Sequence, residues 1–229
     1  MNLTAMHSQE TRRAMRVTRV TFNCDSLSLE GMLTVPHGLG PFAAVVVCHP
    51  HPLYGGNMDN NVVGETCEAL DRLSLISLRF NFRGVGRSEG QFSQGVGQQQ
   101  DIGAAISFAS AIEKADSAAV GVVGYSAGAG FAVPVVLADG RARAFAAISP
   151  PLSMFDFAAL SSCPKPKLFV SGSRDHFTPA TQFLQFCQSL PEPKECVVIQ
   201  GADHFWWGHE AAAATRVANF LSRALDRMQ

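Results

Sequence analysis

No run in this 229-residue chain reaches the roughly 18 consecutive apolar residues of a membrane-spanning helix, so no membrane partner is expected. Charge is scarce as well, at 16% of residues with a net charge of −1. So weak a field argues against nucleic acid and acidic lipid surfaces, which are held by bulk electrostatics. The local basic cluster of Arg12, Arg13, Arg16 and Arg19 reads as solvated tail and strand-edge charge. The six cysteines (Cys24, Cys48, Cys67, Cys163, Cys187 and Cys196) include no Cys-x-x-Cys pair. A chain of this size needs no staples, so the expectation is reduced, mostly buried thiols and a cytoplasmic location. Residues 1–15 carry arginines but no apolar core of a secretory leader, and read as a flexible tail.

Apolar residues make up 47% of the chain. A chain of this length can bury roughly 70–75% of its unfolded surface, enough for a full core. No internal repeat, low-complexity tract or linker interrupts residues 16–229, which are read as a single domain.

Val17–Phe22 alternates weakly, and Leu27, Leu29, Leu33 and Val35 alternate clearly, as in an opening antiparallel hairpin. The pattern then changes to short, unbroken apolar runs: Ala43–Cys48, Leu75–Phe80, Val120–Gly124, Phe145–Ile148, Lys167–Val170 and Cys196–Ile199. Such runs suit strands of a parallel sheet covered on both faces. Helix-length segments separate most of them: Asp59–Arg72, Gln98–Lys114, Ala127–Ala138, Pro179–Leu190 and Glu210–Leu225. Alternation of strand and helix predicts an α/β architecture with crossover connections. The interval from Phe145 to Lys167 has room for one short helix and none for a cap domain.

"VVGYSAGAG" places Gly124, Ser126 and Gly128 in G-x-S-x-G spacing, after a buried strand and before an apolar helix. That context makes it a candidate nucleophile elbow, where a strained turn lifts a serine hydroxyl above the sheet. The turn crowds the positions two before and two after the serine, which calls for glycine at both. Further along the helix, Pro134 would press on the residue four back, Gly130, so the helix is expected to kink but continue.

A serine nucleophile needs a base, and the base needs an orienting carboxylate. Both must lie at carboxyl ends of strands. His204, after the last strand, is the best-placed histidine, with His209 as runner-up. Asp175, just past its strand, is the best-placed acid, with Asp156 as the alternative. The resulting order of Ser126, Asp175 and His204 is the one the elbow motif predicts.

With these residues in place, the chain resembles the α/β-hydrolase superfamily, and within it the small, lid-less, dienelactone-hydrolase-like esterase branch. The resemblance rests on "HPHPLYGGNMDNNVV", "NFRGVGRSEG", "GYSAG", "GSRDHFTP" and "GADHFWWGHE". It implies an eight-stranded, mostly parallel sheet with the second strand antiparallel, helices on both faces, no cap domain and no cofactor. Dienelactone hydrolases proper carry a cysteine nucleophile; Ser126 here points to ester hydrolysis instead. The resemblance also assigns oxyanion-hole N–H groups to Ala127 and to the segment after the third strand. There His51 is the first choice and Leu53 the second.

The implied function is cleavage of short-to-medium carboxylic esters through an acyl-enzyme on Ser126, with a small-molecule ester as the partner. Thioesterase, lactonase and peptidase activities would use the same triad, and a non-catalytic interaction module is the remaining alternative. An apolar rim is expected from Tyr54, Tyr125, Leu152, Met154, Phe155, Phe205 and Trp206, together with Leu53. Monomer and homodimer both remain open.

Two further motifs are read as structural. "NFRGVGRSEG" lacks the third glycine of a dinucleotide loop and the lysine of a P-loop, so Arg83 is expected to tie loops together. His49 and His51 are spaced like a metal pair, but no third ligand is evident. Pro50 and Pro52 lack N–H groups and stiffen the segment, which favours a backbone shelf over a metal site. Asn57 is the expected cap of the helix that follows.

Overall fold

The computed structural model describes residues 16–226; the expected tail of residues 1–15 lies outside them, as do Arg12 and Arg13. Eight strands form one sheet: β1 (Arg16–Cys24), β2 (Leu27–Val35), β3 (Phe42–Cys48), β4 (Ile76–Phe80), β5 (Ala115–Tyr125), β6 (Ala142–Ile148), β7 (Lys167–Gly172) and β8 (Lys194–Ile199). Their order is β1-β2-β4-β3-β5-β6-β7-β8. β2 runs antiparallel to both β1 and β4, and every other pairing is parallel.

Five helices cover the sheet: α1 (Asn61–Arg72), α2 (Val96–Ser110), α3 (Ala127–Ala138), α4 (Ala180–Ser189) and α5 (Glu210–Asp226). The continuous apolar run of β3 is explained by two cores. Ala44, Val46 and Cys48 pack with α2, α3 and α4 on one face. Ala43, Val45 and Val47 pack with α1 and α5 on the other. Burying each such branched side chain contributes on the order of 1.5–3 kcal/mol. No helix among the described residues is long and apolar enough to cross a membrane.

The departures from expectation have local causes. α2 ends at Ser110, short of Lys114, because the Lys114 carbonyl already accepts from Phe42 N–H at the start of β3. β5 begins at Ala115, five residues before its apolar run, because Ala115 pairs with Phe42 across a register shift. Asn60, not Asn57, caps α1: its side-chain oxygen accepts from Val62 N–H at 3.0 Å. Asn57 instead closes a turn by accepting from Asp59 N–H. α3 continues through Pro134, and the space that a Cβ on Gly130 would take is filled by the Phe155 ring, 2.2 Å away.

The expectation of six reduced thiols is corrected. Cys24, Cys48, Cys67 and Cys163 are free and buried, but Cys187 and Cys196 form a disulfide. The packing of α4 against β8 brings their Cα atoms to 6.3 Å, within disulfide reach. Arg83 bonds a carboxylate as expected, but it ties its loop to helix α2 rather than to another loop. It donates from Nε and Nη2 to Asp101 Oδ1 at 2.9 and 2.7 Å, and Asp101 is fully buried.

Candidate active site

The carboxyl ends of β3, β5, β6, β7 and β8 meet around Ser126. This residue has φ 53° and ψ −121°, a left-handed backbone that non-glycine residues seldom adopt. Its N–H is held by Ile148 O at 2.9 Å, and its carbonyl starts α3 by accepting from Ala129 N–H. The two flanking glycines are required by close approach. A Cβ on Gly124 would meet Ala129 Cα at 2.3 Å, and one on Gly128 would meet the carbonyls of His49 and Cys48 at 2.5 and 2.6 Å. Gly128 therefore seats the elbow directly against the end of β3, a contact that the motif alone does not reveal.

Ser126 Oγ lies 2.9 Å from His204 Nε2. His204 Nδ1 lies 3.0 and 2.9 Å from the two carboxylate oxygens of Asp175. The carboxylate accepts a hydrogen bond from Nδ1–H, which leaves Nε2 with a lone pair for the serine hydroxyl. Burial pushes the Asp175 carboxyl up, but His204, the Ser149 hydroxyl and Thr178 N–H together outweigh it and hold the group below its ordinary value. Tyr125, at the end of β5, donates its hydroxyl to His204 O at 2.8 Å and fixes the histidine loop from below. Gly172 lets that loop approach: a Cβ there would meet Ala202 O at 2.2 Å. The alternatives lie elsewhere. Asp156 accepts from Ala159 N–H in its own turn, and His209 sits against Gly201 at the start of α5.

On the β3 side, His49 is fully buried. Its Nδ1–H donates to Pro50 O at 2.6 Å, and its Nε2 accepts from Phe82 N–H at 3.1 Å. Burial pushes its pKa down to about 4, so the ring is neutral and clamps the β3 loop to the β4 loop. His51 Nδ1 accepts from Leu53 N–H at 3.2 Å. Each imidazole thus spends its lone pair on a backbone N–H. Among the described residues, no three His, Cys, Asp or Glu side chains gather as a metal-holding group.

The second-choice oxyanion donor is corrected by the same contact, because Leu53 N–H is already taken. The N–H groups of His51 and Ala127 have no acceptor among the described residues.

A cleft of about 440 Å³ opens over Ser126 and His204. His51, Tyr54, Tyr125, Ala127, Met154 and Phe205 line it as expected, joined by Pro50, Pro151 and Phe177. Four expected rim residues do not reach it, among them Leu53, which is exposed outside the cleft. Leu152 and Phe155 pack against the core beside α3 and line a separate shallow depression. Trp206 is fully buried, because its left-handed backbone (φ 66°) turns the ring inward. Phe177 was missed, although its ring lies 4.3 Å from that of His204. Its position two residues after Asp175, on the same strand-end loop, was the available signal.

A family described as an alpha/beta hydrolase domain matches residues 43–229, most of the chain. The chain belongs to this family. Alpha/beta hydrolase membership and fold together mark it as a hydrolase.

An uncharacterised protein of Rickettsia prowazekii is 36% identical over 70% of this chain and 71% of its own length. An uncharacterised Mycobacterium tuberculosis protein is 31% identical over 74% of this chain and 66% of its own length. Among solved structures, an alpha-beta serine hydrolase homologue from Coxiella burnetii is 33% identical with a TM-score of 0.79. That match covers 91% of this chain and 97% of the Coxiella chain. A serine hydrolase without a lid from Xanthomonas campestris is 25% identical with a TM-score of 0.78, covering 93% and 95% of the two chains.

Proposed function

We propose that this alpha/beta hydrolase is a serine esterase acting on short-to-medium, uncharged carboxylic esters. The observation that carries the reading is the continuous hydrogen-bonded line from Ser126 Oγ through His204 to Asp175, at 2.9 Å on each side of the ring. His204 takes the hydroxyl proton as Oγ attacks the ester carbonyl. Asp175 holds the imidazole in the tautomer that can accept it and stabilises the cation that forms. The N–H groups of Ala127 and His51 face the developing oxyanion, and each such donor is worth ~10²–10³ in rate. His204 then returns the proton to the departing alkoxide. A water molecule repeats the sequence on the acylated serine and releases the acid.

The substrate class follows from the lining. No Lys, Arg, Asp or Glu contributes to the cleft, whose walls include Tyr54, Met154, Phe177 and Phe205. A charged acyl group placed there would lose its hydration with no compensating partner. Its volume and open mouth suit acyl chains shorter than those of membrane lipids.

A nitrophenyl ester series tests the reading. Turnover should peak at short or medium chains and vanish in Ser126→Ala, while a monoester of a dicarboxylic acid should be a poor substrate. Turnover retained in Ser126→Ala, or a maximum at long chains, would sink it. Thioester, lactone and aminoacyl amide arms of the same panel separate the other acyl hydrolases that the triad could serve.

A further inference from the structure

Trp206 and Ser149 are both fully buried, and both have left-handed backbones, φ 66° for Trp206 and φ 46° for Ser149. Among the described residues only six non-glycine positions have positive φ, and Ser126 is a third member of that set. Non-glycine residues in this region persist only where the surroundings over-determine them, and they cluster at functional sites. Trp206 is held by its N–H donating to Asp203 Oδ1 at 2.9 Å and its carbonyl accepting from His209 N–H at 2.7 Å. Ser149, one residue past β6, is held by its N–H donating to Val170 O at 2.8 Å.

The two strained residues meet. Trp206 Nε1–H donates to Ser149 Oγ at 3.0 Å. That donation uses a lone pair of the hydroxyl and leaves its proton free to point elsewhere. The residue after Ser149 is tied to Asp175 through Thr178, whose Oγ1–H donates to Pro150 O at 2.7 Å and whose N–H donates to Asp175 Oδ1 at 3.2 Å, and the Ser149 hydroxyl is among the groups that hold the Asp175 carboxyl below its ordinary value. Asp175 in turn holds His204 Nδ1. A polar line therefore runs from the core under the cleft, through Trp206, Ser149 and Asp175, to His204.

We propose that Trp206 and Ser149 are positioning residues: a buried relay that orients the Asp175 carboxylate, and through it His204, from the core side of the site. The role for which it matters rests on the esterase reading above, but the geometric claim does not. The relay gives a role to the indole N–H of a tryptophan that fills no part of the cleft and occupies a strained position beside His204. It also explains why a serine sits at φ 46°, where glycine would be easier.

Trp206→Phe removes the N–H and keeps most of the ring. Ser149→Gly removes the hydroxyl and relaxes the backbone at the same time. With a good nitrophenyl ester, each variant should lose roughly 10-fold in kcat with KM within about twofold, the scale on which outer hydrogen-bond partners act. The acidic limb of kcat/KM should move to higher pH, because a carboxylate with fewer donors shares less of its charge and holds an imidazolium more tightly.

A second readout needs no turnover: the low-field proton resonance of His204 Nδ1–H in the resting protein. It should shift or broaden in both variants while thermal stability in Ser149→Gly stays close to that of the parent. The proposal is overturned if kcat, the pH profile and the resonance are all unchanged, or if Trp206→Phe loses stability alone, since those are the marks of packing. If the parent protein turns over no ester, the esterase reading fails, and the resonance still decides the relay.

Discussion

On the bank of the cleft formed by the β3 loop, side chains hold the backbone in place. His49 clamps the loop to Phe82 N–H, Leu53 N–H is absorbed by the His51 ring, and Pro50 and Pro52 have no N–H to offer. What remains without an acceptor among the described residues is the His51 N–H, the donor proposed for the oxyanion. On the bank formed by the loops after β6, β7 and β8 the order is reversed. His204 and Asp175 present side chains to Ser126, and the contacts behind them include Tyr125 on His204 O and Thr178 N–H on Asp175 Oδ1. A developing negative charge suits fixed backbone dipoles, which need no change of protonation. A travelling proton needs a titratable group, and that group has to be oriented by others.

Substitutions can break the two banks separately. Asp175→Asn should have the largest effect, lowering kcat by about 10⁴-fold, because an amide favours the wrong imidazole tautomer. Rate measurements with a saturating ester would show it. A loss below tenfold would remove Asp175 from the proton-handling bank.

Gly128→Ala comes next and acts on the backbone bank. Its Cβ would lie 2.5 Å from His49 O, so the shelf and the elbow must separate, and a loss of ~10²–10³ in kcat is expected. A crystal structure of the variant should show the β3 loop displaced, whereas an unmoved loop with full activity would contradict the role of the shelf.

The clamp gives a third, smaller effect, on stability. His49 has a folded pKa of about 4 against an ordinary value of 6.5. The unfolded chain therefore takes up the proton first as pH falls. The contribution of His49 to stability is fully present above pH 6.5 and is lost between 6.5 and about 4, by ~3 kcal/mol at most. Denaturant titrations of the parent and of His49→Gln across that range should differ in slope, and parallel curves would show that the buried ring does not titrate in this way.

The smallest effect is expected at the His51 side chain. His51→Ala keeps the backbone N–H and loses the ring contacts with Leu53 N–H, Tyr54, Phe92 and Phe131. A change of a few-fold in KM, with kcat nearly intact, would separate a backbone donor from a side-chain acid or base.

These differences track what the sequence could disclose. The buried strands and the elbow were legible because two-faced burial forces unbroken apolar runs and the turn forces glycines at 124 and 128. Ser126, Asp175 and His204 were legible because strand ends are the places from which side chains converge. Trp206 was not. In "HFWWG", Phe205 and Trp207 are 54% and 72% exposed while Trp206 is fully buried, and the turn that sorts them depends on Asp203 capping two N–H groups. Leu53 was misread for a similar reason, because its N–H is consumed by a side chain two residues away. Cys187 and Cys196 are nine positions apart and carry no spacing signal; only the packing of α4 on β8 joins them.

The central claim, that Ser126 is the residue acylated during turnover, is tested most directly by mixing the protein with a slowly deacylating nitrophenyl ester. A stoichiometric burst of nitrophenol should appear, and mass spectrometry of the quenched protein should place the acyl group on Ser126 alone. No burst, or an acyl group on another residue, would contradict the account.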